Sequence, residues 1–391
     1  MKLKKTRNLK VLSWIIALQN SPLAFFETIF FMMVTDSYLI TMNLFLVIKL
    51  TLAISEVPTG IISDRFLGRK WTYLAGSFSL IISFIFYVLG WYNYQFLFIG
   101  AVFQSIGTAF NSGNTTALLH DNLKKIGEDK NYSKYLGAFG SVKFIYLGIS
   151  LIVSGLLAHY FHILYVIYFI GLQRFITFSV GFFLKDITTY HKEKISFSGA
   201  IAHLIKAIKL FRTNKRLRLL AMISVLERGF IGSPRRLSRV FFKMFLPFSM
   251  FGLFMAGNLF IQSFASHFAH SIIKKFGYLK TFLKCDFFSI PLQAVGYIFP
   301  SILSPFLIQL GDDTTPIRGV AKSSLLHKEF TDKQRATMES LISIFGSLSY
   351  ALFGILLGWI ADAFSLRFAL LFAVGCRLLL FPLFFKIFKY D

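Results

Sequence analysis

Glu56-Val57-Pro58-Thr59-Gly60-Ile61-Ile62-Ser63-Asp64-Arg65-Phe66-Leu67-Gly68-Arg69-Lys70 separates two apolar runs, each long enough to cross a bilayer. The first run stops here, a charged turn follows, and a second run begins at Trp71. Gly60 and Gly68 permit close backbone approach and a sharp reversal, because glycine has no Cβ to forbid positive φ. Asp64 suits a helix end. Arg65, Arg69 and Lys70 hold such a turn on the cytoplasmic face, where cationic loops are retained.

Outward from this turn, the composition sets the class. Of 391 residues 55% are hydrophobic and 18% aromatic, too apolar for a soluble domain and natural for a polytopic membrane protein. The formal charge of +24 invites a nucleic-acid reading, but its placement opposes one. With the N-terminus inside, the inner segments hold Lys2, Lys4, Lys5, Arg7 and Lys10, then the turn cations, then Lys124, Lys125, Lys130 and Lys134. Nine more cations fall near 185–218, followed by Lys274, Lys275 and Lys280. Lys328, Lys333, Arg335, Lys386 and Lys389 complete the set, while connections near 35–38, 91–94, 159–162 and 299–302 hold no Lys or Arg. This positive-inside pattern puts both termini in the cytoplasm and nucleic acid out of consideration. Cys285 and Cys376 lie in apolar runs, so neither a disulfide nor a zinc site is expected, and no other metal or cofactor is implied. The basic, then apolar N-terminus reads as a first span, since no small-residue cleavage site follows a short core.

Hydropathic runs predict twelve spans of about 20 residues: near 11–34, 38–61, 72–91, 95–117, 136–158 and 162–184, then 219–243, 249–272, 279–299, 302–325, 338–360 and 366–388. The expected fold is an all-α membrane protein of two six-helix pseudo-repeats, residues 1–184 and 219–391, joined by a cytoplasmic linker at 185–218. Within the linker, Ile201, Leu204, Ile205, Ile208 and Leu210 recur at helical spacing among cations. That pattern suits an amphipathic helix on the inner membrane surface, attracted to anionic lipid, or a solvated linker helix. The second-half counterpart of the opening turn is Ile273 to Lys280, with its cations and Gly277 but no Asp-Arg pair. In the seventh span, Pro234, Arg235, Arg236, Arg239 and Lys243 leave two readings: a helix carrying cations in its outer half, or an outer loop after Gly232.

The opening turn resembles the signature loop between helices two and three of the major facilitator superfamily, a family of secondary transporters. The family pattern is glycine, three residues, Asp-Arg, one residue, Gly-Arg-Lys/Arg. Here Phe66 and Leu67 both intervene before Gly68, which lengthens the turn by one residue. Ser112 to Lys124, Lys333 to Ser340 and Gly358 to Asp362 extend the resemblance toward a prokaryotic efflux-type subgroup. It implies the major facilitator fold, a conformational switch made of Gly60, Asp64, Arg65, Gly68, Arg69 and Lys70, and contact of Asp64 with the start of the eleventh span near 338. The Gly-Pro element of the family's antiporters is missing from the fifth span. Gly137, Gly140, Gly148 and Gly155 permit close packing there, but no proline follows.

Ionisable side chains at bilayer depth cost several kcal/mol unless they meet water or a partner, so they mark candidate sites. These are Glu27, Lys49, Glu56, Lys143, Arg174, Glu227, Arg228, Asp286, Asp312, Asp313 and Arg377. The resemblance implies a central cavity lined by helices one, four, seven and ten, which carry Glu27, Gln104, Asn111, Asn114, Glu227, Arg228, Arg235, Arg239, Gln309, Asp312 and Asp313. Arg228, Arg235 and Arg239, seven and four apart, share a helical face and are expected to meet Asp312 and Asp313. A carboxylate there, or Glu27, is a candidate proton carrier; the alternative is that these pairs neutralise one another and brace the bundle. Most of the 49 phenylalanines belong to lipid-facing or packing surfaces.

Three function classes follow. The first is a proton-driven transporter in the cell membrane, a monomer exporting small amphipathic or hydrophobic compounds by alternating access. Within the same class stands an organic-anion transporter using the seventh-span cations with Lys49 and Lys143. A receptor or regulatory membrane protein would bring an added soluble domain, and every connection except the central one is short. An enzyme would need converging nucleophile and base or metal ligands; the eight histidines are scattered, no His-Glu-x-x-His or Walker loop occurs, and catalysis is not expected.

Overall fold

The structure, a computed structural model, describes residues 6–185, 214–329 and 335–388. Every regular element among them is helical. The amphipathic segment of the linker and Lys333 and Gln334 lie outside the described residues, as do the side chains of Asp64, Arg65, Lys328 and Arg335.

The helices assemble as twelve spans. The first six are Arg7–Leu18 with Leu23–Thr35, Tyr38–Ile62, Gly68–Gly90, Gln95–Asn111 with Asn114–Lys125, Tyr132–Tyr160, and Ile163–Gly181. The second six are Lys215–Glu227 with Pro234–Phe245, Phe248–Phe276, Tyr278–Ile298, Ser304–Asp312 with Thr315–Glu329, Arg335–Ala363, and Leu366–Arg377 with Phe381–Phe388. Among the described residues, eight helical stretches are long and apolar enough to cross a membrane by length and composition alone. The fourth, seventh, ninth and tenth spans fall short of that test because they are interrupted or carry polar and charged residues that the fold buries. The seventh span has no outer loop after Gly232. A five-residue π turn, Arg228–Gly232, follows Glu227, and Pro234 occupies the first turn of the helix that continues to Phe245, where its missing N–H is no loss.

The opening turn absorbs its extra residue in the same way. Ser63–Leu67 is a π turn, closed by the Gly68 N–H donating to the Ser63 carbonyl five residues back. In the counterpart, the Gly277 N–H reaches four residues back to Ile273. Both glycines then take nearly the same backbone conformation, φ 70° and ψ 169° at Gly68 and φ 76° and ψ 165° at Gly277. Four residues on, Thr72 and Thr281 donate to the carbonyls of Gly68 and Gly277. One turn design is thus used twice, the first copy with one residue inserted. This φ/ψ region is essentially reserved for glycine, and other residues there cost about 1–3 kcal/mol. Gly68→Ala is therefore expected to lower unfolding stability by about that much. Gly60→Ala, at ordinary φ with nothing within 4 Å of the added Cβ, should stay within about 0.5 kcal/mol. Denaturant unfolding in mixed micelles reads the difference.

The chain divides into two compact units. One takes Met1–Thr35, Val47–Lys194 and Phe248–Ala256; the other takes Asp36–Leu46, Ile195–Pro247 and Gly257–Asp391. The first has an apolar core of Leu9, Leu12, Ile15, Tyr73, Leu118, Leu119 and Tyr135. Within it the fifth and eighth spans touch at Gly155 and Gly252, where a Cβ on either would meet backbone at under 3 Å. The second unit packs Leu217, Leu220, Ile223, Phe282, Met338, Leu341 and Phe384. Asp362 caps the second span there, its carboxylate accepting from the Tyr38 and Leu39 N–H groups (2.8 and 2.9 Å) and the Ser37 hydroxyl (2.7 Å). A carboxylate at a helix N-terminus satisfies donors that the helix leaves open. Exposed Phe264, Phe268, Phe287, Phe299 and Phe364 give the fold apolar outer surfaces suited to lipid.

Candidate functional site

Charges in the second unit form one connected chain through the interior. Lys322 and Arg318, one turn apart in the tenth span, both bind Glu227 of the seventh, at 3.0 and 2.5 Å. Arg318 also pairs with Asp286 of the ninth span and lies 4.4 Å from the ring centre of Phe282. Asp286 accepts from Arg377 of the twelfth span at 2.6 Å. Arg377 donates to Ser289 and Gln293 as well. The Gln293 amide continues to Asp312 at 3.0 Å, and Arg235 grips Asp312 through Nε and Nη2, both at 3.2 Å. Glu227, Asp286, Asp312, Arg318 and Arg377 are all buried, so each charge depends on its neighbours rather than on water.

The cationic face expected on the seventh span splits. Arg235 meets Asp312, but Arg228 turns to the eleventh span and donates to Ser343. The π turn between them supplies the reason, because its wider winding breaks the seven-residue register that would align them. Arg239 is half-buried on the continuing helix. Asp313, although adjacent to Asp312, sits differently: it is buried, it accepts from the neutral amide of Gln309 at 3.3 Å, and no cation among the described residues pairs with it.

In the first unit, Glu27 is buried and accepts from Gln104 at 2.7 Å, and Gln104 accepts in turn from the Tyr87 hydroxyl at 2.8 Å. Arg174 donates to the Leu80 carbonyl and Ser83. Asn114 does not face open space. Its amide donates to the Arg69 carbonyl at 2.9 Å and braces the opening turn, as Lys70 does by donating to the Phe182 carbonyl at 2.9 Å. Lys49 is half-buried and Glu56 exposed. Asn111 is buried, with no partner for either amide atom among the described residues. It lines a cavity of about 560 Å³ between the first, third, fourth and fifth spans, together with Gln19, Asn20, Thr116, Phe139 and Lys143.

The first, fourth, seventh and tenth spans are each interrupted where these polar groups gather: around Asn20 to Pro22, at Ser112 and Gly113, at the π turn, and at Asp313 and Thr314. Broken helices expose backbone groups and place side chains at depths that a continuous apolar helix would not. Sequence reasoning missed Arg318 and Lys322, whose i, i+4 spacing puts two cations on one face of the tenth span. It also passed over Ser289 and Gln293, which lie three and seven residues after Asp286 and so on its face.

A family model described as Major Facilitator Superfamily matches residues 35–318. Among solved structures, a mutant form of the nucleoside transporter NupG is similar with TM-score 0.82 at 15% identity, covering 97% of this chain and 99% of that one. An auto-inhibited POT family peptide transporter gives 0.72 at 12% identity, covering 98% and 96%. A bacterial homologue of the iron transporter ferroportin, inward-facing, gives 0.68 at 16%, covering 97% and 98%. At such identities the likeness is one of fold. No curated protein matches the sequence.

Proposed function

Given that this chain belongs to the major facilitator superfamily, we propose that it is a proton-coupled secondary transporter carrying a small organic solute across the cell membrane by alternating access. In this reading residues 1–184 and 219–391 rock about a site within one monomer, the linker at 185–218 and both termini lie in the cytoplasm, and Gly60 to Lys70 is part of the switch. The observation that carries the coupling is Asp313. A buried carboxyl with no cation paired to it among the described residues, at a break in a span and beside a neutralised charge chain, is suited to gain and lose a proton, whereas Glu227, Asp286 and Asp312 are held by Arg and Lys. Glu27, hydrogen-bonded to Gln104, is the corresponding candidate in the other half.

For cargo, the mixed lining of the 560 Å³ cavity, amides and hydroxyls beside Phe139 and Phe144, supports amphipathic compounds over purely hydrophobic ones. A cavity of that volume also admits solutes of the size that the nucleoside and peptide transporters of like fold are named for. Export, as in the efflux-type subgroup, is the direction proposed from the resemblance. The test is accumulation of a labelled compound library in inverted vesicles with and without a proton gradient. Gradient-dependent accumulation of at least one compound supports the reading; accumulation of every compound at the level of empty vesicles under both conditions refutes it.

A further inference from the structure

Most charges described inside the spans have a protein partner, and Lys143 stands apart from them. Among the described residues no carboxylate pairs with it, and its recorded neighbour is the ring of Phe144, with Nζ 5.9 Å from the centroid, a distance at which a cation–π contact is weak. Lys143 lines the 560 Å³ cavity, and no other described residue of that lining is ionisable. A lysine inside a span costs several kcal/mol unless a counter-charge or water meets it. The cavity supplies space for the counter-charge and further polar groups to hold it. Gln19 and Asn111 lie on its wall, the latter with both amide atoms unpartnered among the described residues. Opposite chemistry comes from Leu136, Phe139 and Phe144, an apolar wall for a hydrocarbon or aromatic body.

We infer that this cavity takes a soluble organic anion with an aromatic or apolar body, its carboxylate or phosphate paired with Lys143. A cation would be repelled, and a neutral solute would leave the lysine charge unmet. The inference rests on the transporter reading for its role as cargo but not for the binding itself.

The full chain in nanodiscs of phosphatidylcholine is titrated with benzoate, 1-naphthoate and phenyl phosphate, and with neutral benzamide and 1-naphthamide, reading affinity from the thermal shift. At least one anion should bind wild type tenfold or more tighter than the neutral compounds. Lys143→Met should erase that preference and Lys143→Arg should keep it. Lys143→Gln replaces the methionine variant if the latter does not fold. The inference is overturned if all three anions bind no better than the amides, or if the preference survives loss of the lysine charge. A parallel set of discs containing phosphatidylglycerol separates the lipid source: stabilisation that needs Lys143 but arises from phosphatidylglycerol alone overturns a soluble cargo. Gradient-driven transport of a neutral compound by both wild type and Lys143→Met, with no anion bound, sinks this inference and leaves the transporter reading standing.

Discussion

Asp286→Ala is expected to destabilise the second unit by about 3–5 kcal/mol, the range seen when one member of a buried ion network is removed. The reason lies in what remains. Asp286 is 1% exposed and is contacted by both Arg318 and Arg377, themselves 4% exposed. Its removal leaves both guanidinium groups short of an acceptor in an apolar bundle, and burial of an uncompensated charge is far more costly than a lost hydrogen bond. Arg377→Met should cost less, because Asp286 keeps Arg318 and Gln293 keeps Asp312. Asp286→Asn, which retains shape and one acceptor, should fall between neutral and alanine. Denaturant unfolding of the three variants in mixed micelles checks the order. Equal losses in all three would mean that the chain of charges does not act as a connected unit.

The second large effect separates two adjacent residues. Asp312 is tied to Arg235 and Gln293, so Asp312→Asn strips a charge partner from Arg235 and should lower stability by about 1–3 kcal/mol. Asp313 accepts from the neutral Gln309 amide and pairs with no cation among the described residues, and Asp313→Asn imitates its protonated form without orphaning a cation. Stability should change by less than about 0.5 kcal/mol. Transport should respond in the opposite sense: Asp313→Asn should lose gradient-driven accumulation at least tenfold while still exchanging labelled for unlabelled solute, since only the proton step is removed. Gradient-driven accumulation at the wild-type level in Asp313→Asn would move the coupling role elsewhere, with Glu27→Gln the next variant to measure.

The sequence made the spans legible because apolar runs and cationic turns are written locally. The boundary at Gly68 and its second copy at Gly277 could be found from glycine and charge alone. The interior of the second unit was less legible for a physical reason. Arg318 meets Asp286 and Glu227 across three helices, and nothing in one helix says which neighbours it faces. The π turn after Glu227 is a second such case. One additional residue per turn rotates everything beyond it, so Arg228 and Arg235 separate although their spacing puts them together on an ideal helix. Asn114 is a third such case. A polar residue in a span reads as cavity-facing, yet here it ties a helix start to the Arg69 carbonyl.

The most direct measurement is of the proton itself. Proteoliposomes holding a trapped pH-sensitive dye are given a compound that the vesicle screen shows to be carried, with no gradient imposed. Addition of solute should shift the internal pH in wild type and leave it unmoved in Asp313→Asn. Solute movement without a pH change in wild type, or the same pH change in both proteins, would contradict the account.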